Sequence, residues 1–219
     1  MPQIFKPSSN KLAHFGLIGF IAMLFLMAIA GHAYFQSSYY NDVGVLREQP
    51  VPFSHKQHIQ GLGLDCRFCH SAVEKSKTAG MPSTEVCMSC HSQILNNSDR
   101  LRVLRTSLSE NRPIIWNRVH VLPDHVFFNH SIHVNKGVSC QSCHGNVQEM
   151  SQTSKVKPLT MKWCLECHAH PENNLVPINQ VFSIEKLVNT KADFIQQNNL
   201  MKIYRIDRSR ITNCYECHR

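Results

Sequence analysis

The chain has 219 residues, a formal net charge of +8 and 42% hydrophobic residues, which allows one ordinary domain plus a short additional segment. The basic excess points to an anionic partner, but there is no aromatic-basic stripe of the kind that binds single strands, so nucleic acid is excluded as that partner. Ten cysteines and 14 histidines carry most of the remaining information.

Residues 1–14 contain Lys6 and Lys11 and no acidic side chain. Residues 15–35, FGLIGFIAMLFLMAIAGHAYF, are almost wholly apolar. At helical rise they span about 31 Å, enough to cross a bilayer. Ala28–Ile29–Ala30 resembles a signal-cleavage site, but the apolar run is longer than a usual signal core, which favours a retained anchor. The basic residues precede the run, so the N-terminus is expected in the cytoplasm and residues 36–219 on the periplasmic side of a bacterial inner membrane. Tyr34 and Phe35 would sit at the outer interface. Residues 36–52, with Ser, Tyr, Asn and prolines, read as a linker.

The pattern C-x-x-C-H then occurs at Cys66–Cys69–His70, Cys87–Cys90–His91, Cys140–Cys143–His144, Cys164–Cys167–His168 and Cys214–Cys217–His218. This is the attachment signature of c-type haem. Cysteines three apart lie one turn apart on a short helix and each forms a thioether to the haem, while the following histidine is directed at the iron. Zinc sites built from thiolate pairs would leave a fifth pair over, and disulfides do not explain a histidine after every pair. The motifs consume all ten cysteines, so five covalently attached haem c groups are expected. About 185 residues after the anchor serve five haems, too few for a conventional core around each. The expected fold class is a mostly irregular and α-helical multihaem cytochrome with one N-terminal transmembrane helix. Its haem propionates offset much of the positive charge.

A larger pattern appears twice. Phe53–Ser54–His55–Lys56–Gln57–His58 precedes Cys66 and Cys87, and Phe128–Asn129–His130–Ser131–Ile132–His133 precedes Cys140 and Cys164. Residues 53–95 and 128–170 therefore read as a duplicated two-haem unit, with the fifth haem at the C-terminus. Between the copies, Leu95, Leu101, Leu104 and Leu108 share one face of an expected packing helix, broken at Asn111–Arg112–Pro113. Residues 114–125 are expected to be extended, and 184–195 helical.

F-x-H-x-x-H ahead of C-x-x-C-H resembles the class III multihaem cytochromes. That resemblance implies that His55 ligates the Cys66/Cys69 haem and His130 the Cys140/Cys143 haem. His58 and His133 would reach neighbouring haems, most simply those at Cys87/Cys90 and Cys164/Cys167. Beyond these, His120, His125 and His170 remain outside the anchor. Seven histidines are therefore available for five distal positions, which favours electron transfer over substrate chemistry at an open iron. For the Cys214/Cys217 haem the expected distal ligand is His120, with His125, His170 or a methionine (Met81, Met88, Met150, Met161, Met201) as alternatives.

AGMPSTEVCMSCHSQI (79–94), VHVLPDHVFFNHSIHVNKGVSCQSCHGNV (119–147) and LTMKWCLECHAHPE (159–172) resemble the pentahaem cytochrome subunit of bacterial alternative complex III. At 125 and 170 that family's pattern has an aromatic and an arginine, so these two histidines depart from it. The resemblance implies an electron-transfer subunit, not an enzyme by itself. Its partners would be quinol-oxidising membrane subunits, a molybdopterin/iron–sulfur-like subunit and a monohaem cytochrome c, and the acceptor a terminal oxidase or soluble cytochrome. Gly16, Gly19, Ala22 and Gly31 would let neighbouring helices approach the anchor. Two other classes compete. One is a stand-alone membrane-anchored multihaem quinol dehydrogenase feeding a periplasmic reductase. The other is a multihaem reductase with an open iron position.

Overall fold

The computed structural model describes residues 6–185 and 199–218. The chain divides into an N-terminal unit, Met1–Val43, and a larger unit, Gly44–Arg219. The expected helix at 184–195 falls mostly outside the described residues; Ile184 and Glu185, which are described, are not helical.

The N-terminal unit is built on α1, Pro7–Gln36. It starts earlier than the apolar run because Pro7 suits the first helical turn, where no N–H is needed, and nothing in residues 8–14 breaks the helix. Its thirty residues make a rod of about 45 Å. Ser8–Gln36 has an 18-residue window of mean hydropathy 2.3 and is long and apolar enough to cross a membrane. Ser37 ends α1 and caps α2, Ser38–Asn41, by accepting from the Tyr40 amide at 3.3 Å. Rings of Tyr34, Phe35, Tyr39 and Tyr40 gather at this end, with Phe35 and Tyr40 edge to face at 4.9 Å.

The larger unit consists of short helices joined by loops, and no strand occurs among the described residues. Five helices carry the cysteine motifs: α3 (Cys66–Cys69), α4 (Thr84–His91), α7 (Cys140–His144), α8 (Met161–Ala169) and α10 (Cys214–Cys217). The residue before the first cysteine explains three of the starts. Asp65, Ser139 and Asn213 each accept from the amide two residues on, capping α3, α7 and α10. Thr160 caps α8 through the Trp163 amide. Two further helices are α5 (Arg102–Ser109) and α6 (His130–Asn135), and α9 (Arg208–Ile211) leads into the fifth motif.

Apolar packing is sparse. One cluster joins Val73, Val134, Val176 and Val181; another joins Val51, Leu101 and Leu104, with Met88 and Trp116 against it. The leucine stripe is realised only in part. Leu101 and Leu104 are buried, but Leu95 sits at φ 55° in a turn and is exposed. The helix starts at Arg102, after the 3-10 turn Asp99–Leu101, so Leu95 is out of register with it. Thr84 and Ser107 share a buried hydroxyl hydrogen bond of 2.6 Å, which joins α4 to α5.

Gly137 locks the second half together. It has φ +78°, its carbonyl accepts from the Val176 amide at 2.8 Å, and an added Cβ would meet the Val176 carbonyl at 2.6 Å and the Tyr204 ring. The Tyr204 hydroxyl donates to the same Val176 carbonyl at 2.9 Å. Gly137→Ala combines left-handed strain with a backbone clash and should cost about 3 kcal/mol. A thermal melt of the holoprotein followed by far-UV circular dichroism should show Tm lower by about 10 °C; an unchanged Tm would mean this crossing is not needed for stability.

Candidate haem-binding centres

All ten cysteines are described and none is in a disulfide. The histidine beside each cysteine pair has its Nδ1 engaged. His70 is 2.7 Å from the Gly80 carbonyl, His91 3.0 Å from Ile94, His168 2.7 Å from Ile211 and His218 3.1 Å from His125. His144 instead places Nδ1 3.3 Å from Nε2 of His120. The upstream histidines are held likewise: His55 by the Thr153 hydroxyl at 2.9 Å, His58 by the Ser54 carbonyl at 2.8 Å, His130 by Lys77 at 3.0 Å and His133 by Asn129 at 2.8 Å. A carbonyl at Nδ1 requires the proton there and leaves Nε2 with a free lone pair, the form that ligates a metal.

Opposed rings complete the pattern. Ring centres are 6.1 Å apart for His58 and His91, 6.1 Å for His133 and His168, and 6.4 Å for His130 and His144. An iron held between two imidazole nitrogens at about 2 Å each would separate ring centres by about 6 Å. The interplanar angles differ: 61°, 31° and 9° in the same order. His55 is pushed down to about 4, first by burial and then by the fields of His70 and His58. His144 is pushed down to about 3 by burial and then by His120, His130, His70 and His55. Both stay neutral, as ligation demands.

The two copies of the repeated pattern share one geometry. Phe53 stacks on His58 at 4.5 Å and stands edge-on to His55 at 4.8 Å; Phe128 stacks on His133 at 4.6 Å and stands edge-on to His130 at 4.7 Å. The copies differ by one residue between the first histidine and the first cysteine. The first copy forms a π-helical turn, Lys56–Gly61, where the second forms α6. A π turn holds one more residue than an α turn, so the extra residue is absorbed without moving the histidines.

His120, expected to serve the fifth motif, and its alternative His125 are placed differently. His120 lies against His144, with ring centres 4.4 Å apart, and His125 lies beside His218, at 5.6 Å and 21°. The turn that closes with the Val126 amide on the Pro123 carbonyl, followed by the Phe127 amide on the Cys217 carbonyl at 2.8 Å, brings residue 125 to the fifth motif. Burial first, then Lys155 and His130, lowers His120. His170 is largely exposed and faces Glu172 at 3.6 Å. Met88 is committed to packing, and Met81 and Met161 are exposed.

Thiols of neighbouring motifs lie close enough to act on one another: Cys140 lowers the Cys66 thiol, and Cys66 raises that of Cys140. Cys87 is raised by burial and then by Cys69; Cys143 is pushed up to about 12 by burial and then by Cys167 and Cys164; Cys164 is raised by burial and then by Cys217. The His168 bond to Ile211 and the pair Arg208–Glu172, 2.8 Å, tie the fourth motif to the segment before the fifth.

The family profile described as cytochrome c7 and related cytochrome c matches residues 51–102 and 126–219. The chain belongs to this family. As a cytochrome c it carries covalently bound haem c, and the paired thiols and free Nε2 atoms described above fit that group. It is also similar to a protein of Nitratidesulfovibrio vulgaris named "Menaquinone reductase, multiheme cytochrome c subunit", with 30% identity over 189 residues, covering 77% of this chain and 88% of the relative. The three of the cytochrome's short capped helices that open on a cysteine could have been read from Asp65, Ser139 and Asn213. The role of Thr153 had no such signal, because it lies 98 residues from His55.

Arg208→Ala tests how the last motif is held. Glu172 is buried at 6% exposure, whereas Arg208 is half-exposed, so the loss is a screened fraction of a buried pair, about 1–2 kcal/mol. Limited proteolysis of the holoprotein should show faster cleavage between residues 176 and 213; identical kinetics would remove this ion pair from the account.

Proposed function

We propose that this cytochrome is the five-haem electron-relay subunit of a membrane complex linked to menaquinone, of the alternative complex III type, and not an enzyme by itself. The opposed histidine pairs at about 6 Å carry the reading, because an iron saturated on both faces passes electrons and has no position for a reactant. When bound, covalent haem supplies one-electron chemistry. The chain supplies fixed axial rings, thioether anchors and close spacing.

The ligand sets we assign are His70 with His55, His91 with His58, His144 with His130, His168 with His133, and His218 with His125. The mutual influence of thiols from different motifs supports one row, in the order second, first, third, fourth and fifth motif. The ends of the row are then Cys87/Cys90 and Cys214/Cys217. The apolar helix supports a single-pass anchor with the haem-bearing unit in the periplasm. We assign its partners as quinone-reactive membrane subunits, a molybdopterin/iron–sulfur-like subunit and a monohaem cytochrome c, with a terminal oxidase or soluble cytochrome as acceptor. A second reading, in which electrons run inwards to menaquinone, is favoured by the relative's name. Menaquinol added to the detergent-purified complex should reduce the haems under the first reading. Under the second, a low-potential periplasmic donor should drive menaquinone reduction. A lone chain that oxidises quinol would overturn both in favour of a stand-alone dehydrogenase.

The ring angles generate a spectroscopic prediction. Near-parallel imidazoles split the iron orbitals they bond, whereas strongly crossed ones leave them closer in energy and make the ferric signal more anisotropic. Electron paramagnetic resonance of the oxidised complex should therefore show only low-spin haem, the 61° pair His58/His91 giving a more anisotropic signal than the 31°, 21° and 9° pairs. His58→Phe should abolish that signal and produce one high-spin haem among five. High-spin haem in the resting wild-type protein would sink the relay reading.

A further inference from the structure

Of the two histidines outside the anchor that serve no iron in these assignments, His170 is exposed beside Glu172, whereas His120 has a specific place. At the other four motifs the proximal Nδ1 meets a backbone carbonyl: Gly80, Ile94, Ile211 and His125. Only His144 meets an imidazole nitrogen, Nε2 of His120 at 3.3 Å. The two ring centres are 4.4 Å apart, too close for an iron between them, while His130 stands parallel to His144 at 6.4 Å and occupies the opposing side. Ligation through Nε2 of His144 puts its proton on Nδ1, so His144 donates and His120 accepts.

We propose that His120 is a positioning residue for the third centre: it accepts the Nδ1 hydrogen bond of His144 and thereby lowers the reduction potential of the Cys140/Cys143 haem relative to what a carbonyl acceptor would set. The chemistry is general. A partner that draws on the Nδ1 proton gives the ligating ring imidazolate character, and a more basic ligand stabilises ferric over ferrous iron. A neutral imidazole nitrogen is a much stronger base than an amide oxygen, so this one centre receives a stronger pull than the others. The inference rests on the ligand assignment of the preceding section, specifically His144 with His130.

The test is a spectroelectrochemical titration of the detergent-purified native complex carrying His120→Phe or His120→Gln, with haem content per chain and spin state measured on the same samples. His120→Phe should leave five low-spin haems and raise one of five midpoints, shifting that centre's ferric/ferrous ratio about tenfold at fixed potential, or about 59 mV for one electron. His120→Gln restores an acceptor of carbonyl strength and should give a smaller rise at the same centre; this milder variant also serves if the Phe variant matures poorly. Five unchanged midpoints with all haems low-spin would overturn the inference and leave the relay reading intact. A high-spin haem in either variant would make His120 an iron ligand and overturn both the inference and the ligand set. His130→Phe is the separate control for that set, and should produce one high-spin haem.

Discussion

The constraint on which this molecule depends is the hydrogen bond at Nδ1. A loose chain with two small apolar clusters cannot orient a dozen imidazoles by packing. It does so by giving each ring one oxygen or nitrogen to hold. His70, His91 and His168 take carbonyls from loops or helix flanks, and His55 takes a hydroxyl 98 residues away. Each bond fixes a tautomer and a ring plane together. The backbone that supplies those carbonyls is therefore part of the site, although it carries no side-chain signature. This is also why loops predominate: a carbonyl already spent in a helix or ladder is less available to a ring.

Once rings are fixed in this way, segments far apart in the chain are fixed too. His130 is tied to Lys77 and its own amide bonds the same carbonyl, so the second copy is fastened to the first motif. His168 is tied to Ile211, fastening the fourth motif to the fifth. The adjacent histidines on α6 face different proximal rings, His144 and His168. One short helix thus faces two motifs, and in the first copy His58 of the π turn faces His91. The extra residue there shows which quantity is kept: the histidine geometry is retained while the helix type changes around it.

Much of the site was legible in the residues. The cysteine motifs, the paired histidines and the long apolar helix are local patterns whose spacing has a mechanical cause, and local causes can be read without coordinates. The pairing of His58 with His91 and of His133 with His168 was suggested by the duplication, and those rings lie 6.1 Å apart in each case. What escaped was set by contacts across the chain. His120 and His125 are five residues apart in a stretch without regular structure, so periodicity offers no way to choose between them. A turn at Pro123–Val126 and a backbone bond from Phe127 to Cys217 bring His125, not His120, beside His218. Leu95 was misplaced for a related reason: its spacing suits the helix, but a left-handed turn intervenes before the helix begins.

The third centre brings these strands together. Its proximal ring is the most strongly shifted histidine, its ring pair is nearly parallel at 9°, and its Nδ1 partner is the one imidazole among carbonyls. In the row we propose it also lies in the middle, with Cys140 influenced by Cys66 on one side and Cys143 by Cys167 and Cys164 on the other. Position in the row and energy level are thus set by separate groups. In the proposed relay the placement of the motif helices sets how near each centre is to the next, while the partner at Nδ1 sets how readily that centre is reduced. A substitution at His120 leaves the thioether anchors where they are and changes only the level, whereas a shift in any motif helix would change the spacing at unchanged level. A relay needs both quantities, and this chain can adjust them independently because the acceptor of His144 comes from residue 120, outside every cysteine motif and outside both repeated units.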